Sequence, residues 1–552
     1  MKRNVRTDVP FGVAWAERYA LLRGIGKTDA EIRRPQVAII SAWSDINNGH
    51  SHLNDLAKDV EKGIIEAGGT PYHLPTIGLC DGLAFYGSQY ILPSRDLIAN
   101  EVETQVEGYK MDAMVLMASC DKIVPAYVMA AARLNIPAVI VTGGYMVSGN
   151  YNGKKISFVD VGRAVGQVQS GSMTMNECME ILDCACPGPG ACPMMGTANT
   201  MCIIAEALGM TMPGNSTICA RDPKIHDMAY RAGKTVMELW DKGITARNII
   251  TQDSIENAIM ACMAMGGSTN SLIHVPAMAT EAGLDDFDCI GFFDKASYAV
   301  PLLMGVEPNG PHLMEDFERA GGLAALFKTI ESKIHADALT VTGQTLGQRI
   351  QDAKVLDETV IHPLSDPIST EGALAVLRGN IAVDGAIVKQ SAVPACLMKF
   401  RGPVVVFEDV DDAIAGLREG KIRAGNVVVI RMQGAKGGPG VVTTFPFTSE
   451  LAGTPLYDKV ALVTDGRFSG ATEGASISPE AALMGPLLIV EQGDIISYDI
   501  DKRTIQLELS DEEIQRRLDK AELNINYYPG WLGIYQKAVG SITKGGVLSG
   551  KN

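Results

Sequence analysis

Through the first two-thirds of the chain, short continuous apolar runs alternate with longer stretches whose apolar positions recur every three to four residues. The run Pro35-Gln36-Val37-Ala38-Ile39-Ile40-Ser41-Ala42 is followed by two more, Ala113–Ala118 and Ala138–Thr142. Such runs, bounded by small or polar residues, predict buried strands, and the stretches at 53–67 and 123–134 predict amphipathic helices. Strands alternating with helices make a parallel α/β sheet, whose ligands collect at the carboxyl ends of the strands. Ser44-Asp45 and Ser119-Cys120-Asp121-Lys122 each follow directly on such a run.

The pattern then changes. Residues 254–354 read as mainly helical. Beyond 357–370 come β-rich runs at 402–408, 425–431, 459–464 and 487–490, separated by Gly and Pro. The expectation is an α/β domain over residues 1–355 and a β-rich domain over 356–552, a barrel or a sandwich, closed by a helix at 510–521. Ser510 is the candidate N-cap of that helix, with Asp511-Glu512-Glu513 in its first turn. No internal repeat or low-complexity tract interrupts the chain.

Composition narrows the classes. The 552 residues exceed one ordinary core, and domain sizes suggest roughly two to four. With 46% hydrophobic and 20% charged residues the chain is globular in composition. A net charge of −16 lacks the basic footprint of a nucleic-acid binder and does not suit an anionic membrane surface. It leaves an anionic substrate open, because a metal or an arginine reverses the field inside one cleft. The first ten residues are basic but lead into no apolar run, and stretches such as 136–141 are strand-sized. A cytoplasmic location with no membrane partner is the expectation. Eleven cysteines, an odd number, then point to free thiols, metal ligands or catalytic thiols.

Three cysteines stand in Gly- or Asp-flanked turns: Cys80 in Gly78-Leu79-Cys80-Asp81-Gly82, Cys120 beside Asp121-Lys122, and Cys192 in Gly190-Ala191-Cys192-Pro193. Thiolates hold iron–sulfur clusters, and three ligands on a four-iron cluster leave one iron open as a Lewis acid. Their long separation equally suits three structural thiols. Cys178, Cys184, Cys186 and Cys192 lie closer together, yet their spacing fits no common zinc pattern. Asp81 and Asp121 suit a hard cation such as Mg²⁺, or a plain ion pair with Lys122. Ser469 lies in the Gly-rich stretch 464–470 as a candidate nucleophile or base, outside a Gly-x-Ser-x-Gly frame. No Walker or dinucleotide fingerprint accompanies the Gly-rich loops.

Taken in order, several motifs closely resemble one family. They include Ala67-Gly68-Gly69-Thr70-Pro71, Ser94-Arg95, Cys120-Asp121-Lys122, Gly196-Thr197-Ala198-Asn199-Thr200-Met201 and Gly266-Gly267-Ser268-Thr269-Asn270. Leu377-Arg378-Gly379-Asn380, Lys436-Gly437-Gly438-Pro439-Gly440, Asp465-Gly466-Arg467-Phe468-Ser469-Gly470 and Ser478-Pro479-Glu480-Ala481 follow. The chain resembles the dihydroxy-acid and sugar-acid dehydratases, which include 6-phosphogluconate dehydratase. That resemblance implies a hydro-lyase that converts a 2,3-dihydroxy carboxylic acid to a 2-keto acid. It implies an iron–sulfur cluster on Cys80, Cys120 and Cys192, and Mg²⁺ on Asp81, Asp121 and Lys122, the lysine carbamylated. Ser469 is then the base. A homodimer or homotetramer is implied too, with the β-rich domain closing over the cluster.

Departures from the family pattern refine this. Dihydroxy-acid dehydratases with a 2Fe-2S cluster carry a ligating Cys where this chain has Gly49, and Ser where it has Cys80. Cys80 and Gln433 look like the 6-phosphogluconate branch, so the expectation is a 4Fe-4S cluster rather than 2Fe-2S, and an aldonic or other sugar acid as substrate. The alternatives are dihydroxy-acid dehydratase of branched-chain amino-acid biosynthesis and a non-catalytic cluster-bearing sensor. Val441-Val442-Thr443 replaces an acidic residue usual after the Gly-Gly-Pro-Gly turn, which leaves another carboxylate such as Glu450 to complete the Mg²⁺ site. The loop 474–478 is shorter than in the family and lacks its His.

Overall fold

The computed structural model describes residues 5–7, 10–169, 171–438, 444–466, 468 and 474–548. Its first sheet holds β1 (Gln36–Ser41), β2 (Thr70–Pro75), β3 (Ala113–Ala118) and β4 (Ala138–Thr142), all parallel, in the order β2-β1-β3-β4. Every residue of β1, β3 and β4 is buried. Helices cover both faces of such a sheet, so its strands are written as unbroken apolar runs. β2 is one of the two edge strands, with His73 and Pro75 exposed, and its mixed sequence carries no such signal.

Helices Leu53–Glu66 and Lys224–Lys242 pack against each other backbone to backbone. A Cβ on Gly63 would lie 2.1 Å from the Tyr230 carbonyl oxygen, and one on Gly233 2.3 Å from that of Val60. Helices Ile91–Tyr109, Ile123–Leu134 and Ser271–Ala282 form a second packed group. A small antiparallel hairpin, β5 (Gly149–Tyr151) and β6 (Lys154–Ile156), stands apart. The region from Gln252–Met265 to Leu346–Ile350 is mainly helical, as its sequence predicts.

The second architecture is a closed barrel, which settles the choice between barrel and sandwich. Its strands are β7 (Ala375–Gly379), β8 (Ala382–Val388), β9 (Lys399–Phe407), β10 (Val427–Ile430), β11 (Ala461–Thr464), β12 (Ala475–Ser478), β13 (Ile495–Asp499) and β14 (Thr504–Leu507). They close in the order β10-β11-β12-β8-β7-β14-β13-β9, with β9 through β12 paired in parallel. Closure removes the sheet edges that an open sheet exposes.

Two expectations need correction. Residues 487–490 are not a strand: Pro486–Ile489 is a 3₁₀ turn, and it reads as a strand because Leu487 and Ile489 are buried in the barrel core. The helix Asp511–Leu518 is capped by Ser510, whose hydroxyl accepts the Glu513 N–H at 3.3 Å, but it does not end the fold. The chain continues through helix Gly530–Ala538 and returns to the first domain, where Tyr535, Val539 and Ile542 pack on Ile91, Leu92 and Ile273. Among the described residues, no helix is long and apolar enough to cross a membrane.

Candidate active site at the carboxyl edge of the sheet

The loops that leave β1, β2 and β3 at their carboxyl ends meet the 190–192 loop, and a histidine organises the junction. His50 is fully buried. Its Nε2 lies 3.0 Å and 3.1 Å from the backbone N–H groups of Ser119 and Cys120 and must accept from both, so Nδ1 carries the proton and donates to the Ala42 carbonyl at 2.8 Å. Burial pulls its pKa down to about 4 and keeps it neutral. His50 thereby ties the end of β1 to the cysteine turn behind β3. Asn47 adds to the join: its amide donates to the Gly78 carbonyl at 3.1 Å and its Oδ1 lies 3.5 Å from Cys120 Sγ. The Gly190 N–H reaches the Asn48 carbonyl at 3.3 Å, bringing the Cys192 loop to the same place.

This framework pairs the turns of Cys80 and Cys120 and joins the Cys192 loop to them. Cys120 is buried at the start of helix Ile123–Leu134, and its thiol hydrogen-bonds that of Cys80. That bond is the first cause holding the Cys80 thiol below its ordinary range, while burial works against it. Burial, then the charge of Cys80, raises Cys192. Gly49 faces the group directly: a Cβ there would fall 2.8 Å from Cys120 Sγ. Of the closer-spaced cysteines, Cys192 and Cys186 both feel the charge of Cys80, and Cys178 and Cys184 lie elsewhere. Cys178 is buried in a small separate core with Ile156 and Ile181, and Cys184 Sγ bonds the Glu180 carbonyl of its own helix at 3.1 Å.

Beside the thiols lies the acidic pair. Lys122 is buried and donates to Asp81 Oδ2 at 2.6 Å, with Asp121 Oδ2 at 3.8 Å. Burial first, then repulsion from Asp81, pushes the Asp121 carboxyl well above its ordinary pKa, and Lys122 only partly opposes this. Asp81 Oδ1 is buried with no hydrogen-bond partner among the described residues. Two adjacent carboxylates with one orphaned oxygen are short of positive charge, and hard oxygen donors suit Mg²⁺. The thiols are the soft donors an iron–sulfur cluster takes. Both donor sets fit the groups the resemblance implies, although among the described residues no three His, Cys, Asp or Glu side chains form a preformed cage for one metal ion.

The barrel contributes from the opposite side. Asp465, at the end of β11, is fully buried and accepts the N–H groups of Gln433 and Ala481, both at 2.8 Å. Thr269, in the Gly266–Asn270 motif, donates to the Phe468 carbonyl at 3.2 Å, which joins the two domains here. Ser469 itself lies outside the described residues, as do Val441, Val442 and Thr443. Glu450 is not available as a replacement metal ligand: Arg418 holds its carboxylate in a two-point ion pair. Glu480 of the Ser-Pro-Glu-Ala motif is the buried carboxylate nearby, accepting the Lys436 N–H at 3.1 Å. A cleft of about 810 Å³ opens between Phe85 and Tyr86, which follow the Cys80 loop, and Gln433, Gly437 and Gly438 of the barrel.

Sequence reasoning missed His50 and Asn47 as organisers. Each is a lone polar residue whose partners are distant in sequence, and only the Asp45–His50 turn marked them.

A parallel-sheet α/β domain with thiols and carboxylates at its carboxyl edge, joined to a closed barrel, marks the chain as an α/β enzyme. The chain belongs to the dihydroxy-acid/6-phosphogluconate dehydratase family: its N-terminal model matches residues 34–349 and its C-terminal model residues 359–546. It is a hydro-lyase. The chain is 44% identical to a dihydroxy-acid dehydratase of Caldicellulosiruptor saccharolyticus, over 99% of this chain and all of that protein. It is 42% identical to one of Methanosphaera stadtmanae at the same coverage, and 44% identical to one of Halothermothrix orenii over 97% of this chain and 98% of that protein.

Proposed function

We propose that the protein dehydrates a 2,3-dihydroxy carboxylic acid of the kind dihydroxy-acid dehydratases take, giving the 2-keto acid. What supports this is the Cys80 and Cys120 thiols beside the buried Asp81–Lys122 pair, with the Cys192 loop joined to the same turn, in a chain matched end to end by relatives of that name. When bound, an iron–sulfur cluster on the thiols and Mg²⁺ on the carboxylates supply Lewis acidity to the substrate's oxygens. Lys122 and Asp81 orient the acid end of the substrate. Ser469 is the base of this reading. It takes the C2 proton, the C–H electrons form the C2–C3 double bond, and the C3 hydroxyl leaves as water after protonation. The resulting enol tautomerises to the keto acid.

The expectation of a sugar acid becomes the second reading. It rests on Gly49 and Cys80, since position 49 abuts Cys120 without offering a thiol, and on Gln433 at the barrel mouth. A homo-oligomer belongs to both readings. The test is anaerobic incubation of reconstituted protein with Mg²⁺ and a panel of 2,3-dihydroxyisovalerate, C4 to C6 aldonates and 6-phosphogluconate, with 2-keto acid measured. Preference for dihydroxyisovalerate is expected. Turnover of sugar acids alone would replace the first reading by the second.

A further inference from the structure

Cys192 and Ser469 belong to different domains, and a buried chain of hydroxyl and amide groups runs from the one towards the other. It starts on helix Thr197–Ala207, which begins shortly after Cys192. Asn199, in the first turn, donates to the carbonyls of Cys192 and Met194 at 2.6 and 2.8 Å. The Thr197 hydroxyl lies 2.8 Å from that of Ser268 and accepts the Asn270 side-chain amide, also at 2.8 Å. The backbone N–H groups on either side of Thr269 are engaged as well. That of Ser268 donates to Thr200 Oγ1 at 3.1 Å, and that of Asn270 to Ser268 Oγ at 3.2 Å. All of these side chains are buried. Thr269 is thus held through both neighbours, with helix Ser271–Ala282 starting directly behind it.

Its own hydroxyl crosses to the barrel and donates to the Phe468 carbonyl at 3.2 Å, in a setting where Thr269 is only 1% exposed. The Phe468 ring belongs to the apolar cluster of Val428, Phe447 and Leu462. It also lies against Gly474, where a Cβ would fall 2.4 Å from Phe468 Cζ. Ring packing fixes where Phe468 sits but not which way its carbonyl points, and the Thr269 hydroxyl sets that direction. The carbonyl shares a planar peptide unit with the nitrogen and Cα of the next residue, which is Ser469. Gly466 and Gly470 flank this stretch, and glycine imposes little conformational preference of its own.

We propose that Thr269 is the positioning residue for Ser469, carrying the placement of the Cys192 loop to the base on the other domain through the Phe468 carbonyl. The inference rests on the dehydratase reading with Ser469 as the base. Proton removal depends steeply on where the base stands, and a misplacement of about 1 Å costs on the order of 100-fold. Thr269 acts through Ser469 and not on the substrate, so its loss falls on kcat and spares affinity.

Thr269→Val exchanges the hydroxyl for a methyl, and Thr269→Ser keeps the hydroxyl. Should the valine variant not fold, Thr269→Ala removes the same hydroxyl without adding a methyl. The measurements are kcat, KM, the isotope effect of C2-deuterated 2,3-dihydroxyisovalerate, and the affinity for non-reacting 2-hydroxyisovalerate by calorimetry, on cluster- and Mg²⁺-loaded protein of equal iron content. In Thr269→Val, kcat is expected to fall roughly 10- to 100-fold. KM and 2-hydroxyisovalerate affinity stay unchanged, the isotope effect rises because proton removal has become slower, and Thr269→Ser restores most of kcat. An unchanged kcat overturns the proposal, as do a loss shared by affinity and a loss that serine fails to rescue. Ser469→Ala in parallel separates the readings. A wild-type protein that makes no keto acid, or a Ser469→Ala variant as active as wild type, removes the reading of the reaction or of its base, and the proposal with it. Active wild type, inactive Ser469→Ala and unchanged Thr269→Val overturn the positioning role alone.

Discussion

Arg95–Asp96 and Lys122–Asp81 are both buried cation–carboxylate pairs in the same domain, and they differ in what surrounds them. Around Arg95, four acceptors take the guanidinium donors, and Asp96 Oδ1 in turn accepts the Leu548 N–H at 3.2 Å. Around Lys122 there is one short bond to Asp81, a second carboxylate at 3.8 Å, and an orphaned Asp81 oxygen. A saturated pair binds the returning C-terminal segment to helix Ile91–Tyr109. An unsaturated pair keeps bonding capacity for something else, and it is the one beside the cysteines. Saturation separates a structural ion pair from a functional one where burial alone does not.

The comparison breaks most visibly on activity. Lys122→Met is expected to lower keto-acid production on the order of 1,000-fold, the scale of losing a charged group at the reacting centre. The fold should survive, because the Asp121 carboxyl already favours its protonated form and Asp81 can take a proton in place of the lost ammonium. Steady-state rates and denaturation curves on one preparation check both halves. Arg95→Met should invert the pattern and destabilise the protein by about 3–5 kcal/mol, the cost of leaving a buried carboxylate unpaired. Guanidinium unfolding measures it. If Lys122→Met proves the more destabilising of the two, the distinction drawn from saturation is wrong.

His50 sharpens the same contrast through pH. Its pKa is about 4 in the folded protein against about 6.5 unperturbed. Above pH 6.5 both states are neutral and stability is independent of this group. Below it the unfolded chain takes a proton that the native protein refuses, so stability falls as pH drops from 6.5 towards 4. A shift of that size corresponds to about 3 kcal/mol at the acid end. The difference in unfolding free energy between wild type and His50→Gln, followed from pH 8 to pH 4, should shrink by that amount. A constant difference would mean that His50 is not held neutral against the Ser119 and Cys120 N–H groups.

The buried parallel strands were legible because both faces of β1, β3 and β4 are covered and the apolar runs are unbroken. β2 and most of the barrel were harder. β13 is half-buried over most of its five residues, and β14 alternates exposed and buried positions over only four, too short for a period to show. The run at 487–490 misled because burial, not backbone conformation, selects its composition. In the site, Cys80, Cys120, Cys192, Asp81, Asp121 and Lys122 could be named because each stands in a recognisable motif. His50 and Asn47 could not, since their roles come from partners far away in the chain. Glu450 was named from proximity in sequence, which its pairing with Arg418 overrides.

The smallest expected effect tests whether proximity in sequence was ever the right guide. Cys178, Cys184, Cys186 and Cys192 are neighbours along the chain, yet the fold sends Cys192 to the thiol group and leaves Cys184 on helix Met175–Ala185 with its sulfur on its own helix's carbonyls. A serine there keeps the same bonds with a smaller atom. Cys184→Ser should leave bound iron, acid-labile sulfide and turnover unchanged, while Cys192→Ser should lose the cluster iron. Iron and sulfide assays on the two variants side by side decide it, because a local site would lose metal from both. A spatial site assembled from Cys80, Cys120 and Cys192 loses it only from the second.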